Sequence, residues 1–371
     1  MTEYSRRTLL VGGAVGAAAA GVAVAASALG PRAVRATAEG GRRTRSASPT
    51  PTTAPTTPVP PPVQPVPPVA LGAPVLAASP RPRTSGAVLQ QLAIVATGEV
   101  FTTQSVPGSA PGLYTTVIAR CAASPDPAAG NPEVDAMVVV DGGHGLGLHV
   151  EPRDGGGYDV WASLQGAVPQ SAPDGGRLAR FAYTPGVWSI EAIPGGAAWL
   201  PQFPNDLGEH QEAVYNFDGA AGYAIERMYD FRTGRQERYT RRRIDDLVNG
   251  VDRPEGRVML PVNAPTLQGF ATVDGSLFRW VGRANGGSGA PVADDPMTME
   301  QFDWATGARV AATPFPTLGQ DGVAWRGGAY EPEGCAVRRA PDGRVSLLVG
   351  VTVGGPGDHA WPVYELGLGS P

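Results

Sequence analysis

The chain has no lysine; its 29 basic residues are all arginine. Beside 51 glycines, 38 prolines and abundant alanine, this reads as GC-rich codon bias, not as an adaptation for binding phosphate. Net charge is −5, so nothing points to nucleic acid as a partner. There are only two cysteines, Cys121 and Cys335. An exported protein can pair them, but they read more simply as two small buried apolar residues. Histidine is scarce too, and His149, His210 and His359 lack partners at metal-site spacing. Asp141 and Asp294-Asp295 lack the spacing of a calcium loop. No nucleophile elbow, phosphate loop or dinucleotide fingerprint occurs. No metal and no cofactor is therefore expected. Long helices are missing as well. Pro and Gly recur every few residues, and Ile244 to Val248 is long enough for one turn only.

The first 38 residues read as targeting sequence. Ser5-Arg6-Arg7-Thr8-Leu9-Leu10 matches a twin-arginine export motif, and a weakly apolar Ala/Gly/Val run follows to Leu29. Ala36-Thr37-Ala38 suits cleavage. If uncleaved, the run would be a poor membrane anchor because it is rich in glycine and alanine. Residues 39–83 are dense in Pro, Thr, Val and Ala, a composition that buries no core and favours an extended tether. The folded domain is expected over residues 84–371, long enough for one closed β core.

Within that region, strand–turn–strand units recur. Gly143-His144-Gly145-Leu146-Gly147-Leu148-His149-Val150-Glu151 alternates with period two, breaks at Asp154-Gly155-Gly156-Gly157, and resumes at Tyr158-Asp159-Val160-Trp161. Units of similar shape open at Gln90-Gln91, at Leu267-Gln268-Gly269 and at Glu331-Pro332-Glu333-Gly334; a weaker one opens near Ala213. Phe302-Asp303-Trp304-Ala305-Thr306-Gly307 echoes Tyr229-Asp230-Phe231-Arg232-Thr233-Gly234. All-strand self-similarity at a period of roughly 40–60 residues marks a β-propeller. The expected fold is all-β, with five blades starting near positions 90, 144, 213, 268 and 333.

The order Gln90-Gln91, Thr103-Gln104, Gly143-His144-Gly145, Tyr158-Asp159-Val160-Trp161, Arg177-Leu178-Ala179-Arg180-Phe181, Leu267-Gln268-Gly269 and Glu331-Pro332-Glu333-Gly334 resembles one family. It is the β-propeller family shared by phage tail receptor-binding proteins and teichoic acid biosynthesis protein C. The resemblance covers nearly all of Val88 to Leu366 and implies a five-bladed propeller. In the phage members it implies recognition of cell-wall teichoic acid. It carries over no catalytic residue. An export signal and a tether stand here in place of a tail-fibre stem.

The first strand of each propeller blade lines the central channel. The residues that open those strands, Gln91, His144, Gln268, Glu331 and Glu333, are therefore expected to converge in a polar funnel, and Trp325, in a Gly-rich loop just before the Glu331 strand, is the tryptophan expected to be exposed for stacking on a sugar. Such a ring hydrogen-bonds sugar hydroxyls, or alternatively satisfies backbone groups of neighbouring blades. Arg241-Arg242-Arg243, followed by Asp245-Asp246, reads as a solvated loop. The leading functional expectation is an exported, non-enzymatic module that binds a cell-wall glycopolymer, teichoic-acid-like or another glycan. Alternatives are a glycan hydrolase or lyase, in which Glu331 or Glu333 would need a cross-blade carboxylate such as Glu151 or Glu212, and a protein-interaction scaffold.

Overall fold

The computed structural model describes residues 66–369, apart from 82, 85–86, 111, 165–175, 202, 204–210, 231–235, 262–266, 283–295, 320–328, 341 and 355–358. The export segment, most of the tether, His210 and Trp325 lie outside the described residues, as does the side chain of Glu212.

The described chain is almost entirely strand. β1 (Val75–Ala78) comes first. β2 (Leu89–Ile94), β3 (Val100–Pro107), β4 (Tyr114–Cys121) and β5 (Glu133–Val140) form an antiparallel meander. β6 (Leu148–Pro152), β7 (Tyr158–Leu164) and β8 (Arg177–Ala182) form the next. β9 (Gly186–Ser189) returns to pair in parallel with β5, and β10 (Ala198–Trp199) completes the second sheet against β8. β11 (Gln211–Asp218), β12 (Tyr223–Asp230), β13 (Gln236–Arg243) and β14 (Gly256–Pro261) form the third sheet. One turn of helix, α1 (Ile244–Val248), lies between β13 and β14. β15 (Leu267–Val273), β16 (Ser276–Val281), β17 (Met297–Asp303) and β18 (Arg309–Phe315) form the fourth. β19 (Ala329–Arg339), β20 (Val345–Gly354) and β21 (Val363–Gly367) form the fifth, in which β1 is the outermost strand.

These five sheets are the blades of a β-propeller. The first strands touch in a closed circle: β2 meets β6, β6 meets β11, β11 meets β15, β15 meets β19, and β19 meets β2. Each neighbouring pair of blades also shares a hydrophobic layer. Phe101, Ile118 and Val160 lie between blades one and two, and Trp161, Tyr215 and Met228 between two and three. Tyr239, Phe270 and Leu277 join three and four, Trp280, Val351 and Tyr364 join four and five, and Leu89, Leu92 and Leu348 join five and one. A strand buried on both faces needs side chains that pack in both directions. β16, Ser-Leu-Phe-Arg-Trp-Val, is such a strand and is buried along its whole length.

The charge in β16 is balanced across the blade boundary. Arg279, 1 % exposed, reaches the fully buried Glu237 of blade three at 2.7 Å. Glu237 also takes Arg227 at 2.5 Å and the Tyr239 hydroxyl at 2.8 Å, and Arg279 approaches Glu300 at 3.3 Å. Burial alone would raise the Glu237 carboxyl, but the two arginines hold it below its ordinary range.

Ring closure uses the start of the chain. β1 pairs antiparallel with β21, Val75 opposite Glu365. Upstream, the Gly72 amide donates to the Gly367 carbonyl at 2.8 Å, and the Val69 and Val66 amides donate to Gln301 and Asp303 at 2.8 and 2.9 Å. The domain therefore begins at or before residue 66, not near Thr84. The Pro-rich composition hid this. Val75-Leu76-Ala77-Ala78 is short, and an outermost strand tolerates prolines around it because one of its edges is unpaired.

Two local expectations also change. The alternation from Gly143 to Gly147 is not pleated strand: Gly143, Gly145 and Gly147 have φ of 88°, 67° and 83°, and β6 begins only at Leu148. A methyl on Gly145 would lie 2.6 Å from the Thr116 methyl, and one on Gly147 would fall on the Tyr215 carbonyl. Leu146 accordingly packs against the layer between blades three and four, away from Leu148 and Val150. Arg241-Arg242-Arg243 is the end of β13, not a loop. Arg242 is buried and bridges Glu226 at 2.8 Å and Asp252 at 3.0 Å, and Arg241 lies over the rings of Tyr223 and Trp304. Both cysteines are buried and unpaired, and burial pushes the Cys121 thiol up to about 12.

Candidate functional site

The two ends of the first strands differ. Where the strands begin, five of the expected site residues are found and all are buried: Gln91, Gln268, His144, Glu331 and Glu333 expose 0–6 % of their surface. Gln268 donates to Glu331 at 2.9 Å, which ties blade four to blade five. Gln91 lies against Gly334, so blade one meets blade five next to Glu333. His144 shares a hydrogen bond of 3.2 Å with Ser105 and packs with its ring centre 4.0 Å from that of Tyr114, tilted by 33°, both in blade one. The loop that carries it is tied down by Thr103 and Thr116, whose hydroxyls donate to the Gly145 and Gly143 carbonyls at 2.8 and 2.7 Å.

Three of the first strands carry a β-bulge in this region. Register slips between Leu89 and Gln91, between Leu267 and Gly269, and between Glu333 and Cys335. A bulge bends its strand and re-aims a side chain. Here the bends bring backbones together at the axis. A methyl on Gly269 would lie 2.6 Å from the Cys335 nitrogen. Asn216 of β11, 1 % exposed, donates its amide to the Phe270 carbonyl and, at 2.6 Å, to the Cys335 carbonyl. One side chain thus links blades three, four and five, and β11 touches β19 directly.

The described residues at this end therefore form a packed polar plug, where a solvent-open funnel was expected. Glu331 is engaged with Gln268, and Glu333 is fully buried. Glu151, the cross-blade partner weighed for them, lines a cavity at the opposite end of the ring.

That cavity, of about 320 Å³, is bounded by residues 93–96, 148–152, 216–220 and 336–340. These are the last residues of β2, β11 and β19 with the whole of β6, so the strands of blades one, two, three and five finish around one space. His149, Glu151, Arg338 and Arg339 are partly exposed there, whereas Asn216 and Asp218 are buried. His149 donates to Glu151 at 3.2 Å and stacks on Phe217 at 5.0 Å. Glu151 also accepts from the Trp161 indole at 3.1 Å and from Arg180 at 3.3 Å. The bond from His149, helped by Trp161 and Arg180 against partial burial, holds the Glu151 carboxyl below its ordinary range. Across the mouth, Arg339 makes a two-pronged pair with Asp218 at 2.9 and 2.6 Å, and Arg338 reaches Glu365 at 2.7 Å. No group of three acidic, His or Cys side chains among the described residues is arranged to hold a metal ion.

The sequence does not single out His149, Asp218, Arg338 and Arg339, which line this cavity. The signal that marks them is positional. Each lies in the last few residues before a first-strand turn, at Arg153–Gly157, Gly219–Gly222 or Ala340–Arg344.

Comparison with known proteins agrees with this architecture. Residues 88–365 match the family described as the phage 5-bladed beta propeller receptor binding platform domain. A Bacillus subtilis (strain 168) protein named "Putative major teichoic acid biosynthesis protein C" is 26 % identical over 235 residues, covering 62 % of this chain and 49 % of that protein. The tail fibre of Staphylococcus aureus phage P68 superposes with a TM-score of 0.60 at 22 % identity, covering 80 % of this chain and 52 % of the fibre chain. This chain thus spans about half the length of the relatives it matches. With five blades, a closed ring and a match across three quarters of its length, the chain belongs to the phage five-bladed β-propeller receptor-binding platform family.

Proposed function

We propose that this domain is a binding head for a cell-wall glycopolymer, teichoic-acid-like or another glycan, displayed outside the cell. The observation that carries the reading is the family match over residues 88–365, to a domain described as a receptor-binding platform. The relative named for teichoic acid biosynthesis supports a wall polymer as the ligand. The twin-arginine motif at Ser5–Leu10 and the Pro/Thr-rich segment after it support export and display on a tether. On this reading Gln91, His144, Gln268, Glu331 and Glu333 hold the ring in shape, and the ligand is met by exposed polar groups elsewhere on the propeller. The test is retention of the protein on purified cell walls before and after chemical removal of the glycopolymer. Loss of retention on stripped walls is expected; equal retention on both would overturn the reading.

A further inference from the structure

We propose that the cavity where the first strands end is a pocket for one neutral, hydroxyl-rich unit, a single pyranose or polyol, and that it does not select anions. The proposal rests on the glycan-binding reading above and names the chemistry of one contact within it. Three observations lead to it.

The first is size. A space of about 320 Å³ lies at the small end of small-molecule pockets (about 300–1,000 Å³), which suits one sugar unit and not a chain of several.

The second is charge balance. The charged residues lining the cavity are Glu151 and Asp218 against Arg338 and Arg339, two of each sign. Each is already matched: Arg339 to Asp218, Arg338 to Glu365, and Glu151 to Arg180 and His149. An entering phosphate or carboxylate would meet guanidinium groups whose charge is neutralised and carboxylates that repel it. A hydroxyl both donates and accepts, so a pair of neighbouring hydroxyls can bridge a carboxylate and a guanidinium without disturbing either. Valences remain for this. Arg339 spends Nε and Nη2 on Asp218, and Arg338 spends Nη1 on Glu365.

The third is the wall between the polar groups. Ala93, Ile94 and Val337 supply an apolar side for the C–H face of a sugar, and the His149 ring is fixed flat by its stack on Phe217, with an interplanar angle of 20°. Apolar walls with a few convergent polar groups are what a sugar-sized pocket requires.

The experiment is a calorimetric or NMR titration of the full chain with glucose, N-acetylglucosamine and glycerol, and with inorganic phosphate as the anionic probe. Two variants accompany it. Glu151→Gln removes the carboxylate while keeping its shape, and Ala220→Trp places a ring across the mouth from an exposed position, where folding is not at stake. At least one neutral probe is expected to bind with a millimolar Kd that changes little with salt, and to lose about tenfold or more in each variant. Preferential, salt-sensitive binding of phosphate would overturn the proposal. So would sugar binding that neither variant weakens, or no sugar binding at all. Retention on walls, measured in parallel, separates this from the reading beneath it. Wall binding without sugar binding removes the pocket and keeps the function; sugar binding without wall binding does the reverse.

Discussion

The two ends of the ring are built from the same strands and put polar residues to opposite uses. Where the first strands begin, Gln268, Glu331 and Glu333 are buried, and Gln268 ties blade four to Glu331 of blade five. Where the strands end, His149, Glu151, Arg338 and Arg339 keep part of their surface in solvent around a cavity. The difference teaches that a polar side chain on the inner strand of a propeller is not by that fact a ligand contact. The β-bulges decide it. At the beginning of β2, β15 and β19 they draw the backbones together, and the buried polar groups then need internal partners. Further along, the strands run unbulged to their turns and leave room.

The comparison breaks most visibly if the ring is not closed as described. A chain beginning at residue 84 lacks β1 and the contacts of residues 66–72. Its melting temperature is expected to fall on the order of 10 °C or more below that of a chain beginning at residue 60, as read by calorimetry. Equal melting temperatures would show that β1 contributes nothing.

On the axis, beneath the cavity, Asn216→Ala removes one amide and leaves two buried carbonyls, those of Phe270 and Cys335, without that donor. Urea unfolding should show a loss of about 3 kcal/mol. Gln268→Leu should cost less, about 1–2 kcal/mol, since it removes one bond to Glu331. A neutral Gln268→Leu would make the end where the strands begin as open as the other.

The inner-strand periodicity and turn residues were legible from sequence because the blades repeat them. Blade starts expected near 90, 144, 213, 268 and 333 correspond to strands that begin at Leu89, Leu148, Gln211, Leu267 and Ala329. Burial was not legible. Gln91 and Glu151 are both polar residues on inner strands, and only bulge geometry and the closeness of β11 to β19 distinguish them. Bulges leave a weak trace in sequence, a glycine or glutamine at the slip, which reads equally well as the start of a strand. The strap at residues 66–80 was missed because pairing of β1 with β21 joins positions almost 300 apart, and no local pattern reports such a contact.

Acid sharpens the same contrast at smaller scale. Glu237, between blades, and Glu151, in the cavity, both have folded-state pKa values held below the ordinary 4.5. Each therefore adds stability above that pH and loses it as the pH falls through its folded value. For the buried Glu237 the loss should be large, because Arg279 is left buried beside an uncharged partner. Glu237→Gln should accordingly unfold at milder acid or heat. For Glu151, whose side chain is 31 % exposed, solvent screening leaves little to lose. Glu151→Gln should shift the urea midpoint by no more than about 0.5 kcal/mol in equivalent stability, the smallest effect of the series. A large shift would make Glu151 a structural residue like Gln268.

The most direct measurement is a map of amide chemical shifts or hydrogen exchange in the domain as fragments of wall glycopolymer are added. The account predicts perturbations concentrated at His149–Glu151, Asp218–Ala220 and Arg338–Arg339, with the amides around His144, Gln268 and Glu331 unchanged. Perturbations centred on His144, Gln268 and Glu331, with the cavity residues silent, would contradict it.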